Sequence, residues 1–303
     1  MTYPYSFKDC LQRSERITWR VEDLIGPDKP LDFARPFMPE SLARTGGLAF
    51  LSPGETLALN QIRGHTYLAM FGLIEEYILP FMLDHARPWL SGDDYRARAF
   101  LEFISEEAKH IHLFRCFREA FAEGFGSPCE VIGPPEAIKA HVLSHPPLSV
   151  ALLTLMIEWM TQRHYTESVA QDEGLDPQFK SLLLHHWMEE HQHAQLDAQL
   201  VSLIAEQMTH AEIEAAIDGF LALGAFFDDG LKAQVGLDLD AFTRKTGRRL
   251  SKSEREQAFE IQLQANRWTY IGSGMSHPKF LESLGRLDAE RRTEVAAIAL
   301  EFA

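Results

Sequence analysis

The chain has 303 residues, 46% apolar and 24% charged, enough to bury a sizeable core in one large domain or two small ones. Its 29 lysines and arginines face 44 acids, a formal net charge of −15, which argues against nucleic acid or an anionic membrane as partner. Cys10, Cys116 and Cys129 are too sparse and irregular for a disulfide framework or a zinc site. With no signal-peptide core at the start and no uncharged apolar run of ~18 residues, the expectation is a cytoplasmic protein without a membrane span.

Residues 1–51 read as an arm packed on the main body: a short helical piece around Leu11–Leu24, then a loop rich in proline and glycine. Ser52-Pro53-Gly54-Glu55 carries the signals of a helix start, with a capping serine, a first-turn proline and a glutamate three residues on from the serine. This first long helix is expected to run to Asp84 or His85, with a kink at Pro80. Its middle, TYLAMFGLIEEYILPFM, is apolar almost all round and therefore buried, which leaves Glu75 and Glu76 needing a partner or a metal.

A second helix is expected from Ser91-Gly92-Asp93 to about Glu123, with an aromatic stripe (Phe100, Phe103, Phe114, Phe117, Phe121) interrupted by Glu107 and His110. Gly124–Pro147 breaks the pattern and holds a short helix around Glu136–Leu143. A third helix, about Leu148–Gln171, opens on a strongly apolar run containing one acid, Glu158. The fourth, about Gln178–Met208, carries His186-x-x-x-Glu190-x-x-His193, three side chains on one helical face. The remainder reads as helical at 210–235, 238–246, 251–273 and 288–302, with a short turn at 278–285. The expected fold is all-α: a ferritin-like four-helix bundle (52–208) between an N-terminal arm (1–51) and a C-terminal helical extension (209–303), in a single domain.

One Glu-x-x-His occurs readily by chance. Here two copies, Glu107/His110 and Glu190/His193, alternate along the chain with single acids in the partner helices, Glu75 or Glu76 and Glu158. That order, Glu, Glu-x-x-His, Glu, Glu-x-x-His, is what a carboxylate-bridged metal pair inside a bundle requires. Carboxylate and imidazole donors without thiolate suit iron(II), with manganese(II) as the alternative. Bridging glutamates hold two metals ~3.5–4 Å apart, and two ferrous ions can deliver electrons to dioxygen. Glu106 and Glu189, each just before a Glu-x-x-His glutamate, are candidates to accept a hydrogen bond from the ligand histidine of the opposite helix. Their bland alternative is a solvated surface acid. His65, His112, His164, His185 and His191 lack the spacing and read as surface or core-edge residues. Tyr165, seven residues after Glu158, reads as a packed tyrosine before a redox one, and Arg163 as a surface arginine before a substrate anchor.

The third histidine, His186, gives the last motif a form that resembles the p-aminobenzoate N-oxygenase (AurF-type) family of ferritin-like di-iron oxygenases, over roughly residues 55–210. The resemblance implies a ligand set of Glu75, Glu107, His110, Glu158, His186, Glu190 and His193. It favours Glu75 through the context Glu75-Glu76-Tyr77-Ile78, whereas helix phase leaves Glu76 a rival. It implies an enzyme that binds two iron ions (manganese as alternative), activates O2 and oxidises a small organic molecule at an amine or a C–H bond. An electron donor, a reductase or ferredoxin-like protein, is then needed, with a homodimer as candidate assembly. No substrate-anchoring motif is identifiable. The competing readings are an iron-storage protein of the same fold and a radical-generating subunit like that of ribonucleotide reductase, with Tyr165 as radical site.

Overall fold

The structure is a computed structural model that describes residues 5–92 and 94–303. Asp93 and the first four residues, on which part of the second-helix start and of the N-terminal reading fall, lie outside the described residues. Among the described residues there are helices and no strand. Helix α4 (Pro53–Ala86) starts where the sequence signals it: Glu55 Oε2 accepts from the Ser52 amide at 2.7 Å, its hydroxyl at 2.8 Å and Arg248 Nη1 at 2.8 Å. It continues through Pro80 and pairs with α5 (Asp94–Phe125). After a crossover holding α6 (Pro135–Leu143), α7 (Pro147–His164) pairs with α8 (Pro177–Ala205). Two helix pairs joined by a long middle connection are the ferritin-like arrangement expected. Asp176 caps α8 by accepting from the Phe179 amide at 2.6 Å, and its other oxygen accepts from the arm's Asp32 amide at 2.7 Å. By length and composition alone α4 with the turn after it would span a membrane, but 67% of its apolar window is buried against other helices.

The flanking regions depart from the sequence expectation in detail. The arm's helical piece is two short helices, α1 (Phe7–Ser14) and α2 (Val21–Leu24), followed by α3 (Glu40–Ala43). The two helices expected at 210–235 and 238–246 are one, α9 (His210–Thr246), which packs along α4 and α7 and under α10 (Lys252–Arg267). Gly236 weakens a helix interior by ~1 kcal/mol, a cost that burial of Val235 and Leu239 on neighbouring helices offsets. α10 runs through a π-helical turn (Trp268–Gly272) into α11 (Ser273–Met275), and α12 (Pro278–Leu287) and α13 (Ala289–Ala299) close the chain. Gly274 is required where α11 meets α7, because a Cβ there would fall 2.6 Å from the Met156 carbonyl oxygen. A single contiguous core extends from Cys10 in the arm to Ala299.

Candidate metal centre

Four helices bring the acids and histidines to one buried point because each places them on its apolar, core-facing side. Glu75, Glu107, His110, Glu158, His186, Glu190 and His193 are each no more than 3% exposed. They form two overlapping quartets whose nearest donor atoms lie within 4.8 Å of one another: Glu75, His110, His186 and Glu190, and Glu107, His110, Glu190 and His193. Glu190 reaches both. Its Oε1 is 2.9 Å from His186 Nε2 and 3.1 Å from His110 Nδ1, while its Oε2 is 3.5 Å from His193 Nδ1. Glu75 Oε1 lies 3.3 Å from His186 Nε2, and Glu107 Oε1 lies 2.8 Å from His193 Nδ1. Glu158 belongs to neither quartet; it sits against Glu190 and shares a hydrogen bond with it. Glu76 is only half-buried and faces the charge of Arg118, so of the two adjacent acids Glu75 is the one in the cluster.

Glu106 and Glu189 hold the histidines from behind. His193 Nε2 donates to Glu106 Oε2 on the opposite helix at 2.8 Å, and His110 Nε2 donates to Glu189 Oε2 at 2.8 Å. The second oxygen of Glu106 accepts from Ser14 of the arm, and that of Glu189 from Lys109. With both Nε2 atoms donating outward, the Nδ1 atoms turn into the cluster, the orientation a metal-binding histidine needs. Trp19 stacks on His110 at 6.2 Å and 8°, so the arm closes this side of the site. Phe103 (4.0 Å from His193), Phe114 (5.0 Å from His186) and Phe71 (5.3 Å from His186) surround it with apolar surface.

The electrostatics are those of too many acids for the hydrogen bonds available. Burial drives the Glu158 carboxyl far above the usual carboxylate range, and the Glu190 charge adds to it; Glu190 is held well below because the neighbouring histidines and Glu158 outweigh its burial. Burial opposes protonation of His110 and His193, but the surrounding carboxylates win and raise both; for His186 burial wins and lowers it. Among the described residues, Glu75 Oε2, both Glu107 oxygens, Glu158 Oε2, Glu190 Oε1, His110 Nδ1 and His193 Nδ1 are buried without a hydrogen bond. Orphaned buried atoms of this kind are costly. Here all are oxygen or imidazole nitrogen, all are in one place, and they fit a pair of hard or borderline cations such as iron(II) or manganese(II).

Sequence reasoning missed Asp197. It is buried one turn after His193, both its oxygens lack a partner, and burial raises its pKa strongly. The i, i+4 spacing from His193 was the available signal. Two histidines read as surface or core-edge are instead core residues: His65 is pushed down to about 4 by burial, and His164 bonds Tyr67 and Ser273. Tyr165 stacks on Trp187 at 4.6 Å, and Arg163 is engaged by the Ser273 carbonyl and Ser276.

No protein-family model and no curated protein matches this chain. Among solved structures it is similar to mutants of an R2-like ligand-binding oxidase. One, with an aerobically reconstituted Fe/Fe cofactor, is 15% identical over 88% of this chain and 94% of that chain, at a TM-score of 0.48. Another, with an anaerobically reconstituted Mn/Fe cofactor, is 15% identical over 88% of this chain and 95% of that chain, at 0.49. At these values the reading of the site rests on its own residues.

Proposed function

We propose that this chain is a non-haem di-iron oxidoreductase, a monooxygenase or oxidase that activates O2 to oxidise a small organic molecule at an amine or a C–H bond, with manganese as the alternative metal. The observation that carries the reading is the double quartet around Glu190, whose converging buried carboxylate and imidazole atoms a pair of cations would satisfy together. Glu75, Glu107, His110, Glu158, His186, Glu190 and His193 would hold the metals. Two bound ferrous ions would supply electrons and open coordination positions for O2. The protein's own part is positional. Glu190 presents one oxygen to each quartet, Glu106 and Glu189 fix the tautomers of His193 and His110, and Phe71, Phe103 and Phe114 exclude water. Glu158 carries a proton on its carboxyl against Glu190 until a cation displaces it. His186, neutral in this setting, adds a nitrogen donor without adding charge, and it is this residue that supports the AurF-type resemblance.

An electron donor, a reductase or ferredoxin-like protein, completes the scheme. The continuous core supports a single domain, and three free thiols are at home in a reducing cytoplasm. The test is anaerobic titration with ferrous iron followed by oxygen and a reductant, with mass spectrometry of supplied organic substrates. Two irons per chain, oxygen consumption and an oxygenated product are expected. Ferric mineral growing beyond two irons per chain would establish storage instead, and a tyrosyl signal in the absence of product a radical subunit.

A further inference from the structure

Between α4, α6, α7 and α9 lies a cavity of about 800 Å³. Its volume falls in the ~300–1,000 Å³ range of small-molecule sites. No residue of the metal-ligand cluster lines the cavity, but the two share α4 and α7: the wall residues Ile74 and Ile157 are the chain neighbours of Glu75 and Glu158. The Tyr77 ring lines it as well. Burial raises the pKa of the Tyr77 hydroxyl, Thr154 beside it opposes the shift, and the charges of Glu158 and Asp197 add to it, so this lining residue senses the carboxylates of the cluster.

The lining is chemically one-sided. Among the described residues no lysine or arginine contributes to it. The charged or titratable groups outside the two tyrosines are His141 and Asp229, both exposed and therefore at the mouth. The cations near that mouth are engaged: Lys232 sits 2.8 Å from Asp228 and 3.0 Å from Asp229, and Arg267 bonds both oxygens of Asp228. Inside, the Tyr270 hydroxyl is buried and has no hydrogen-bond partner among the described residues, while the Tyr77 hydroxyl is buried beside Thr154. An anionic head group would meet no free cation and one exposed carboxylate. A hydrocarbon body would lie against an almost wholly apolar wall, and a single neutral oxygen would satisfy the Tyr270 hydroxyl.

We propose that this cavity is the chamber for the molecule on which the cluster acts, and that its ligand is uncharged and largely hydrocarbon, carrying one hydroxyl or carbonyl. That the ligand is the substrate rests on the oxidoreductase reading; that it binds does not. The experiment uses the full chain as purified and measures displacement of the uncharged fluorophore N-phenyl-1-naphthylamine by n-alcohols of increasing length and by the matching carboxylates. Each added methylene buried should tighten alcohol binding about fourfold until the cavity is full. The carboxylate of equal length should bind at least tenfold more weakly above neutral pH. Gly224 lines the cavity and a Cβ there meets nothing within 4 Å, so Gly224→Trp should fill the space, keep the melting temperature and lose alcohol binding by at least tenfold. Ala225→Trp, at an exposed lining position, serves if that variant does not fold. Carboxylates binding as tightly as alcohols, or alcohol binding undiminished in a folded tryptophan variant, would overturn the proposal. Metal stoichiometry, measured separately, tells this failure from a failure of the metal reading.

Discussion

Metal binding should stabilise this fold by an amount that can be worked out in advance. The donor atoms of Glu75, Glu107, Glu158, Glu190, His110 and His193 converge in one buried place, a set that exists only in the folded chain. A cation that binds the folded state alone contributes about 2.7 kcal/mol at a hundredfold excess over its dissociation constant, so two contribute about 5 kcal/mol. For a chain of this size each kcal/mol moves the melting temperature by about 2 °C, giving a rise of about 10 °C. The sign of the pH dependence follows from Glu158 and Asp197, whose folded pKa values are raised by burial. A raised acid stabilises the metal-free fold fully at low pH and loses that contribution as pH rises toward its folded pKa. Cations must also displace the Glu158 proton, which is easier at higher pH. The metal-induced rise should therefore be larger at about pH 7.5 than at about pH 5.5. Anaerobic thermal melts with ferrous or manganous ions measure it, with Glu190→Ala as the control that breaks both quartets. A shift below about 2 °C at saturation, or an equal shift in Glu190→Ala, would refute the reasoning.

Other substitutions separate the roles within the site. His186→Ala should leave the bundle folded and metal-binding but slow oxygen consumption by the iron-loaded protein more than tenfold, a barrier increase of at least ~1.4 kcal/mol; unchanged consumption would make His186 a packing residue. Glu189→Gln, which weakens the hold on His110 Nε2, should lower ferrous affinity about 10–100-fold by titration, and unaltered affinity would reduce Glu189 to a structural acid. Asp238, buried with Thr66 and Gln234 donating to its Oδ1, has a pKa raised to about 6 from 3.8, chiefly by burial. Its contribution is complete below the unfolded value and lost as pH rises through about 6. Asp238→Asn should thus gain about 3 kcal/mol on wild type between acidic and neutral pH in urea melts, whereas a difference independent of pH would exclude this titration.

The helical periodicity of Glu107/His110 and Glu190/His193 was legible because their spacing is local and the apolar stripe around them fixes which way they face. The choice between Glu75 and Glu76 was not. Neighbours on a helix differ by one step of rotation, and only the position of α5, which sets Arg118 near Glu76, separates them. Asp197 carried one signal, its i, i+4 spacing from His193, and only the assembled bundle shows that this acid is buried. The unbroken course of α9 through Gly236 is set by its packing on α4 and α7, and the cavity exists only once four separate helices have been assembled. The fate of Trp19 was equally hidden, since its contact with His110 joins segments far apart in sequence.

The reciprocal clasp between α5 and α8 also breaks the symmetry it suggests. Glu106, Glu107 and His110 correspond to Glu189, Glu190 and His193 at a constant offset, and each outer carboxylate takes the histidine of the other helix. The remaining oxygens do not correspond. That of Glu189 is neutralised by the ammonium of Lys109, whereas that of Glu106 receives only the Ser14 hydroxyl. A carboxylate paired with a full positive charge pulls less on an imidazole proton than one that keeps its charge. A single lysine and a single serine thus make two look-alike half-sites chemically different, one histidine backed by a carboxylate paired with a cation and the other by a carboxylate paired with a hydroxyl.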